Sequence, residues 1–286
     1  MYNGIIKPKP DLLEDSYLNL KKVLKRINPK FILLDFDHFP ETRLMTLVAK
    51  DLEIPTIEIQ HGIYSKGKLF SGYYVDYVFV WGEYFKNLYL ESKIKEDQKI
   101  CILGYPYDIH VQENMKYDKK IVFLGQPFEL YGDSFLEQKI DVVKNLDGLC
   151  RGNGFEFVYK PHRMEDLDLL KRELPHVEFY SKTEKIKDTI KKNDIFISFN
   201  STALIEAALN SRICLQLNIF NLNTDDFEKI GICRSFTNLS EFDDFLKDVS
   251  SADDLKRFYY PVNSNFIEIP LPNPGEKLVD IIKHIL

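Results

Sequence analysis

Short apolar segments alternate with amphipathic stretches along most of the chain, and this rhythm limits the folds that it can adopt. The segment Lys30–Phe36 (KFILLDF) is typical of a strand, and Glu41–Leu52 after it has helical spacing. Strands that alternate with helices across short loops favour a parallel sheet covered by helices. The predicted strands are Lys30–Phe36, Thr56–Gln60, Tyr74–Trp81, Lys99–Leu103, Lys120–Leu124, Phe155–Tyr159, Val177–Tyr180, Ile195–Phe199 and Ile213–Leu217. The predicted helices are Leu12–Ile27, Glu41–Leu52, Glu83–Glu91, Tyr131–Cys150, Asp166–Glu173, Lys182–Lys192, Ala203–Asn210, Glu241–Leu246 and Gly275–Leu286.

The chain is long enough for two domains of this kind. It has 286 residues, and the segment Asp108–Tyr117 is polar and without a clear period. We therefore predict a first domain at residues 1–115, short for its class, and a second at 116–286. Two doubly wound α/β domains facing each other across a cleft are expected, with ligands at the carboxyl ends of the strands.

The composition excludes several classes of protein. A net charge of −6 disfavours a nucleic-acid partner, and no run approaches the ~20 apolar residues of a membrane span. The N-terminal MYNGIIKPKP lacks the apolar core of a signal peptide. The cysteines, Cys101, Cys150, Cys214 and Cys233, have no C-x-x-C spacing, which favours reduced thiols over a zinc site or a disulfide framework. These features indicate a cytoplasmic protein without a structural metal.

Asn200, Ser201 and Thr202 stand between a predicted buried strand and the helix after it. Such residues commonly cap a helix, and Glu206 near the cap would favour the positive end of the helix dipole. A helix N-terminus with exposed N–H groups and hydroxyls is also a ready anion site. The residue types are compatible with either a plain cap or a phosphate site.

Lys160, His162 and Arg163 leave the end of the strand FEFVY together. The imidazole can donate to a phosphate oxygen, and either cation can neutralise its charge. A solvated turn before a helix is the alternative. Gly125 and Gln126 follow the strand KIVFL and form a turn, which could also let the backbone approach a nucleotide.

His61 ends a strand of the first domain and precedes Gly62, which permits a sharp turn. A neutral imidazole there can take a proton from an attacking hydroxyl, although a buried, hydrogen-bonded histidine would look the same. Asp35 and Asp37 end the preceding strand. Either can act as a base or orient His61, or can cap the helix that begins near Glu41.

The order of these motifs resembles that of bacterial surface-polysaccharide glycosyltransferases of the GT-B fold. The resemblance runs roughly from Pro29 to Leu217 and is carried by IPTIEIQHG, YVFVWGEYF, CILGYPYD, KIVFLGQP, YKPHR and FNSTALIEAAL. Within this group, the sequence is similar to bacterial sialyltransferases and polysialyltransferases, and to teichoic-acid glycerophosphotransferases. Arg163 stands where the sialyltransferases have Pro, and QHG replaces their acidic pair. The "GT" that follows the glycine in the glycerophosphotransferases is also absent, so the donor stays open between these groups.

The resemblance implies a nucleotide-sugar-dependent glycosyltransferase that builds a capsule, a lipopolysaccharide or a similar cell-surface glycan. It implies that His162, Ser201 and Thr202 hold the donor phosphate, that Glu206 holds ribose hydroxyls and that His61 is the general base. Metal-independent inverting transfer from a CMP- or UDP-sugar to a glycan or lipid-linked glycan is expected, without a further cofactor. The alternatives are a CDP-glycerol-type glycerophosphotransferase, a UDP-GlcNAc 2-epimerase-like enzyme and a non-catalytic binding subunit. The basic stretch Lys182–Lys192 leaves open a peripheral contact with the inner membrane face, against a solvated helix face.

Overall fold

The structure is a computed structural model, and it describes residues 10–37, 39–63, 73–91, 96–107, 109, 118–128, 132–220, 226–229, 231–259, 261–262, 266–268 and 273–285. The chain divides into two compact units. The predicted boundary segment Asp108–Tyr117 lies outside the described residues, except for residue 109.

Unit 1 contains a parallel sheet with the strand order β1-β2-β3-β4. Its strands are β1 (Ile32–Leu34), β2 (Thr56–Ile59), β3 (Tyr77–Val80) and β4 (Lys99–Ile102). Its helices are α1 (Pro10–Ile27), α2 (Pro40–Asp51), α3 (Glu83–Glu91) and α10 (Pro274–Ile285). The register pairs Ile57 with Tyr77, which keeps successive strands in step and brings their carboxyl ends to one edge.

Unit 2 contains a longer parallel sheet with the strand order β10-β9-β8-β5-β6-β7. Its strands are β5 (Lys120–Leu124), β6 (Glu156–Lys160), β7 (Glu178–Phe179), β8 (Ile195–Ser198), β9 (Ile213–Leu217) and β10 (Arg234–Phe236). Its helices are α4 (Asp133–Gly152), α5 (Leu167–Glu173), α6 (Ile186–Lys192), α7 (Thr202–Leu209), α8 (Leu239–Asp248) and α9 (Ala252–Lys256). The strand order reverses between β8 and β5, which is where ligands bind in open parallel sheets.

The core of unit 2 is rich in aromatic side chains beneath this reversal point. Phe123 and Phe199 make an edge contact with ring centroids 5.2 Å apart, and Phe199 lies 5.1 Å from Phe128. These rings are buried at the ends of β5 and β8. Such pairs prefer defined relative orientations, so they help to fix the loops that leave these strands.

The predicted α/β class with two parallel sheets is confirmed, and each predicted strand is present. The strand β10 and the short helix α9 were not predicted, because each is too short to show a period. The helix predicted from Lys182 begins at Ile186 instead. The preceding residues form a turn in which Ser181 Oγ accepts the Thr183 N–H, at 3.3 Å.

The predicted C-terminal bound of the second domain is corrected. Unit 2 ends at Asn263, and Ser264–Leu286 belongs to unit 1. The physical reason is the apolar face of α10, which packs on Ile57, Phe79 and Leu103. The packed residues of the helix are Leu278, Ile281, Ile282 and Ile285. The helix α10 thus contributes to the core of unit 1, although unit 2 precedes it in the sequence.

None of the described helices combines the length and apolar character that crossing a lipid bilayer requires. Nor do the described residues include a group of three or more His, Cys, Asp or Glu side chains placed to hold a metal ion.

Candidate functional site

Three loops of unit 2 meet because their strands are neighbours in the sheet. β5 lies between β8 and β6, and the register pairs Phe123 with Ile197 and Leu124 with Lys160. The residues after each strand therefore emerge side by side. They line a cavity of about 480 Å³, here called the unit 2 cavity. Its lining residues are Leu124, Gly125, Gln126, Pro127, Lys160, Pro161, His162, Arg163, Lys182, Glu184, Ile186, Asn200, Ser201, Thr202 and Ala203.

The structure brings together most of the residues predicted for phosphate or nucleotide binding. Those that line the cavity are Gly125, Gln126, Lys160, His162, Arg163, Asn200, Ser201 and Thr202. Glu206 lies one turn after Thr202 on α7 and does not line it. The loop after β7 adds Lys182, Glu184 and Ile186, which sequence reasoning did not assign to the site. The lysine-rich composition of that stretch was the available signal.

Cationic side chains dominate the charge at this cavity. Among the described lining residues, Lys160, Arg163 and Lys182 face one carboxylate, that of Glu184. Lys160 Nζ donates to the carbonyl oxygens of Pro161 and Ser181, at 3.2 and 3.3 Å. Burial lowers the pKa of the Lys160 ammonium, and the carboxylates of Glu184 and Glu165 oppose that shift. The lining is suited to an anion.

A backbone contact determines which nitrogen of His162 carries the proton. The Met164 N–H donates to His162 Nδ1, at 3.3 Å. An acceptor Nδ1 has no proton, so the neutral ring carries its proton on Nε2. His162 therefore has a ring N–H donor, which is the group that a phosphate oxygen needs.

The loop between β8 and α7 is held from the side of β5. Gln126 Oε1 accepts the Asn200 N–H at 3.0 Å, and Gln126 Nε2 donates to Asn200 Oδ1. Ser201 is the N-cap of α7, and its Oγ accepts the Ala203 N–H at 3.3 Å. The first turn of α7 thus begins at the cavity with its N–H groups and positive dipole end.

His61 and Asp35 belong to unit 1, where they line a cavity of about 550 Å³, here called the unit 1 cavity. The other lining residues are mostly apolar: Leu33, Leu34, Ile59, Leu103, Pro106, Tyr107, Gly275 and Leu278. His61 Nδ1 donates to the main-chain oxygen of Asp35, at 2.7 Å. A carbonyl oxygen only accepts, so the neutral ring carries its lone pair on Nε2. The contact that orients His61 is with the backbone of Asp35, whereas the prediction concerned a carboxylate.

Asp37 has a structural role in unit 1. It is fully buried, and its Oδ2 accepts the N–H groups of Tyr74 and Val75, the latter at 3.3 Å. The Asp37 N–H donates to the Glu58 carboxylate at 3.2 Å. Asp37 therefore fastens the end of β1 to the residues before β3, and it is not among the residues that line the unit 1 cavity.

Comparisons with known proteins rest on solved structures, since no family model and no curated protein matches the sequence. The S. aureus MnaA–UDP co-structure has a TM-score of 0.63 and 15% identity, covering 96% of this chain and 79% of that one. UDP-GlcNAc 2-epimerase from Neisseria meningitidis, bound to UDP-GlcNAc, has a TM-score of 0.65 and 16% identity, covering 98% and 84%. A glycosyltransferase from Rickettsia africae ESF-5 has a TM-score of 0.58 and 15% identity, covering 98% and 83%. At this identity the likeness concerns the fold, and the chain has the two-unit α/β architecture of the GT-B fold.

Proposed function

We propose that the unit 2 cavity binds a nucleotide-activated sugar and that the protein transfers the sugar to a hydroxyl group of a cell-surface glycan. The observation that carries the proposal is the convergence of the three loops after β5, β6 and β8 on one cationic cavity. Solved structures with the same fold include proteins whose names specify UDP or UDP-GlcNAc as the bound molecule, which supports a nucleotide-sugar ligand.

The proposed role of the cavity is to stabilise the charge that grows on the leaving phosphate as the bond to the sugar breaks. His162 would supply its Nε2–H, α7 the positive end of its dipole, and Lys160 and Arg163 their positive charge. Donors fixed before the reaction need no reorganisation as the charge develops. Because these donors can carry the charge themselves, the proposed transfer is metal-independent.

His61 is the proposed general base. Its lone pair on Nε2 follows from the contact of Nδ1 with the Asp35 backbone. The two histidines are thus held in opposite tautomers, one suited to accept a proton and the other to donate a hydrogen bond. A base that deprotonates the acceptor hydroxyl fits direct displacement with inversion.

Glu206 is the proposed ligand of the ribose hydroxyls. Burial raises the pKa of its carboxyl group. Among the described residues no ion pair or side-chain hydrogen bond engages this carboxylate. A half-buried carboxylate on the helix that begins at the cavity is well suited to accept hydrogen bonds from hydroxyl donors.

An enzyme like UDP-GlcNAc 2-epimerase is the second candidate. Its support is the repeated appearance of that name among structures with the same fold. Such an enzyme would need the same nucleotide site but no acceptor. Two further proposals remain. A glycerophosphotransferase would use CDP-glycerol in place of a nucleotide sugar, and a non-catalytic subunit would bind the nucleotide without turnover.

Calorimetric titration with UDP, CMP, CDP and GDP tests the nucleotide site. We expect one of them to bind and the His162→Ala variant to weaken that binding on the order of tenfold, the value of a hydrogen bond to a charged group. The exposed His176, outside the cavity lining, supplies the matched control His176→Ala, which should bind as the unchanged protein does. Failure of all four nucleotides to bind, or unchanged binding by His162→Ala, contradicts the proposal.

Product analysis separates the candidate reactions. Incubation with the activated sugar of the preferred nucleotide should release nucleotide only when a glycan acceptor is added, and the His61→Ala variant should abolish release while still binding nucleotide. Formation of the C2 epimer of UDP-GlcNAc without an acceptor supports the epimerase instead. Consumption of CDP-glycerol identifies the glycerophosphotransferase, and tight nucleotide binding without turnover identifies the binding subunit.

A further inference from the structure

A lysine and a glutamate form an ion pair in the interior of unit 2. Lys139 lies on α4 and Glu165 follows β6, and their Nζ and Oε1 atoms are 2.7 Å apart. The two side chains are 1% and 0% exposed. Removing two charges from water is unfavourable, and apolar side chains of similar volume often stabilise a protein as well as a buried ion pair. Stability alone therefore does not account for these residue types.

The hydrogen bonds of the pair lead to the loops of the unit 2 cavity. Glu165 Oε1 also accepts the Tyr159 hydroxyl, at 2.6 Å, and Glu165 Oε2 accepts the His162 N–H, at 2.6 Å. Lys139 Nζ also donates to the carbonyl oxygen of Gln126, at 3.1 Å. One buried pair thus binds the main chain of two of the lining loops.

The remaining lining loops are joined to the same pair through one further contact each. Gln126, which Lys139 holds by its carbonyl group, hydrogen-bonds through its side chain to the backbone N–H of Asn200. Lys182, from the loop after β7, donates to the main-chain oxygen of Glu165 at 2.6 Å. The pair therefore lies at the centre of the contacts that set the shape of the cavity.

Gly125 has a clear reason to be glycine in this arrangement. A Cβ atom there would lie 2.3 Å from Glu165 Oε2 and 2.6 Å from Cε1 of the Tyr159 ring. The Glu165 carboxylate thus occupies the space beside the end of β5. The glycine serves the buried network. A close approach of its backbone to a nucleotide, which the sequence analysis raised, stays a prediction.

We propose that Glu165, neutralised by Lys139, is a positioning residue that holds the His162 main chain and the Gly125–Gln126 turn in the geometry that binds phosphate. The inference rests on the proposed function, because it assigns Glu165 to the same site. Glu165 touches no ligand in this role. It acts through the His162 N–H and, by way of Lys139, through the Gln126 carbonyl group.

The first test is the Glu165→Gln variant, titrated with UDP and with inorganic pyrophosphate. The glutamine side chain has the same size but removes the negative charge opposite Lys139. Its amide NH2 group also replaces an oxygen that accepts hydrogen bonds, so it would face one of the donors that Glu165 now binds. We expect affinity for both probes to fall on the order of tenfold, as expected for a hydrogen bond to a charged group. Unchanged affinity in the folded variant overturns the inference.

A second variant tests the same inference without leaving a buried charge unpaired. Lys139→Met combined with Glu165→Leu leaves no unpaired buried charge, so it should fold, but the His162 N–H loses its acceptor. We expect the same loss of affinity. The matched control is Asp194→Asn, which breaks the buried pair of Asp194 with Arg212 at the opposite end of the parallel strand β8. It should lower the melting temperature and leave affinity for both probes unchanged.

A double-mutant cycle with His162→Ala separates positioning from general stabilisation. If Glu165 acts through His162, Glu165→Gln should weaken binding much less in the His162→Ala background than in the unchanged protein. Fully additive effects, or a loss of folding in both pair variants while Asp194→Asn folds, overturn the inference. If the protein binds pyrophosphate but none of the nucleotides, the proposed function fails while the pyrophosphate titrations still test the inference. If it binds neither pyrophosphate nor any of the four nucleotides, both fail.

Discussion

His61 and His162 each have a ring nitrogen in contact with a backbone atom. The carbonyl oxygen of Asp35 determines the tautomer of the first, and the N–H of Met164 determines that of the second. A change at Asp35 or Met164 that kept the backbone in place would leave both tautomers intact. The proposed role of each histidine therefore depends on a contact with the loop backbone.

The Gly125→Ala variant tests how closely the network is packed. Its Cβ would meet Glu165 and Tyr159, so we expect a loss of about 1–3 kcal/mol in the free energy of unfolding, together with weaker nucleotide binding. Gly148→Ala is the matched control, because Gly148 lies within α4 with open space at its Cβ position. That change should stabilise the protein by up to about 1 kcal/mol. Urea unfolding measures both, and a Gly125→Ala variant as stable as Gly148→Ala would contradict the packing argument.

Among the elements, α7 combines a structural and a proposed ligand-binding role at one end. Its N-cap is a serine whose hydroxyl satisfies a backbone N–H, which by itself explains the residue type. Its first residues, Thr202 and Ala203, also line the unit 2 cavity. The helix α9 begins with the same kind of cap, since Ser251 Oγ accepts the Asp254 N–H at 3.2 Å, but α9 lines no part of that cavity.

Comparing Ser201→Ala with Ser251→Ala separates the two roles. Each change should lower the free energy of unfolding by about 1 kcal/mol, because each removes one cap. Only Ser201→Ala should also weaken nucleotide binding, since only that hydroxyl lies in the cavity lining. Thermal unfolding and calorimetric titration give the two quantities. Equal nucleotide affinity in both variants would mean that Ser201 serves only as a cap.

In the molecule as a whole, the segment Ser264–Leu286 belongs to unit 1, although it follows unit 2 in the sequence. This segment contains the helix α10, whose apolar face packs against Ile57 and Phe79 of the unit 1 sheet and against Leu103 just after β4. Without that face, apolar side chains of the β2–β4 region would meet water. Unit 1 is therefore made of two distant parts of the sequence.

Introducing a charge into each face of α10 tests this long-range packing. Ile281→Asp places a carboxylate against the core of unit 1, and we expect a loss of about 2–4 kcal/mol of stability in β2, β3 and β4. Val279→Asp, on the exposed face of the same helix, should cost little. Amide hydrogen exchange of the three strands measures the difference. Equal protection in the two variants would contradict the packing of α10 against unit 1.

Much of the fold could be predicted because its signals are local. Every strand from β1 to β9 was predicted from an apolar run, and the loop clusters were placed at the correct strand ends. The three residues of β10 were too few for a pattern, and α6 begins later than its composition indicated. The signal for Lys139 was present but indistinct, because one lysine within an amphipathic helix looks like a solvated residue.

The alternation of strands and helices and the clusters of polar residues at strand ends follow from the sequence, since both depend on neighbours along the chain. The place of α10, the tautomers of the histidines and the pairing of Lys139 with Glu165 follow from the folded structure alone. Each depends on atoms of residues brought together by folding: Lys139 and Glu165 are 26 positions apart, and α10 meets strands that precede it by a whole unit. Buried charge is tolerated only where such partners meet, so its position cannot be inferred from local pattern.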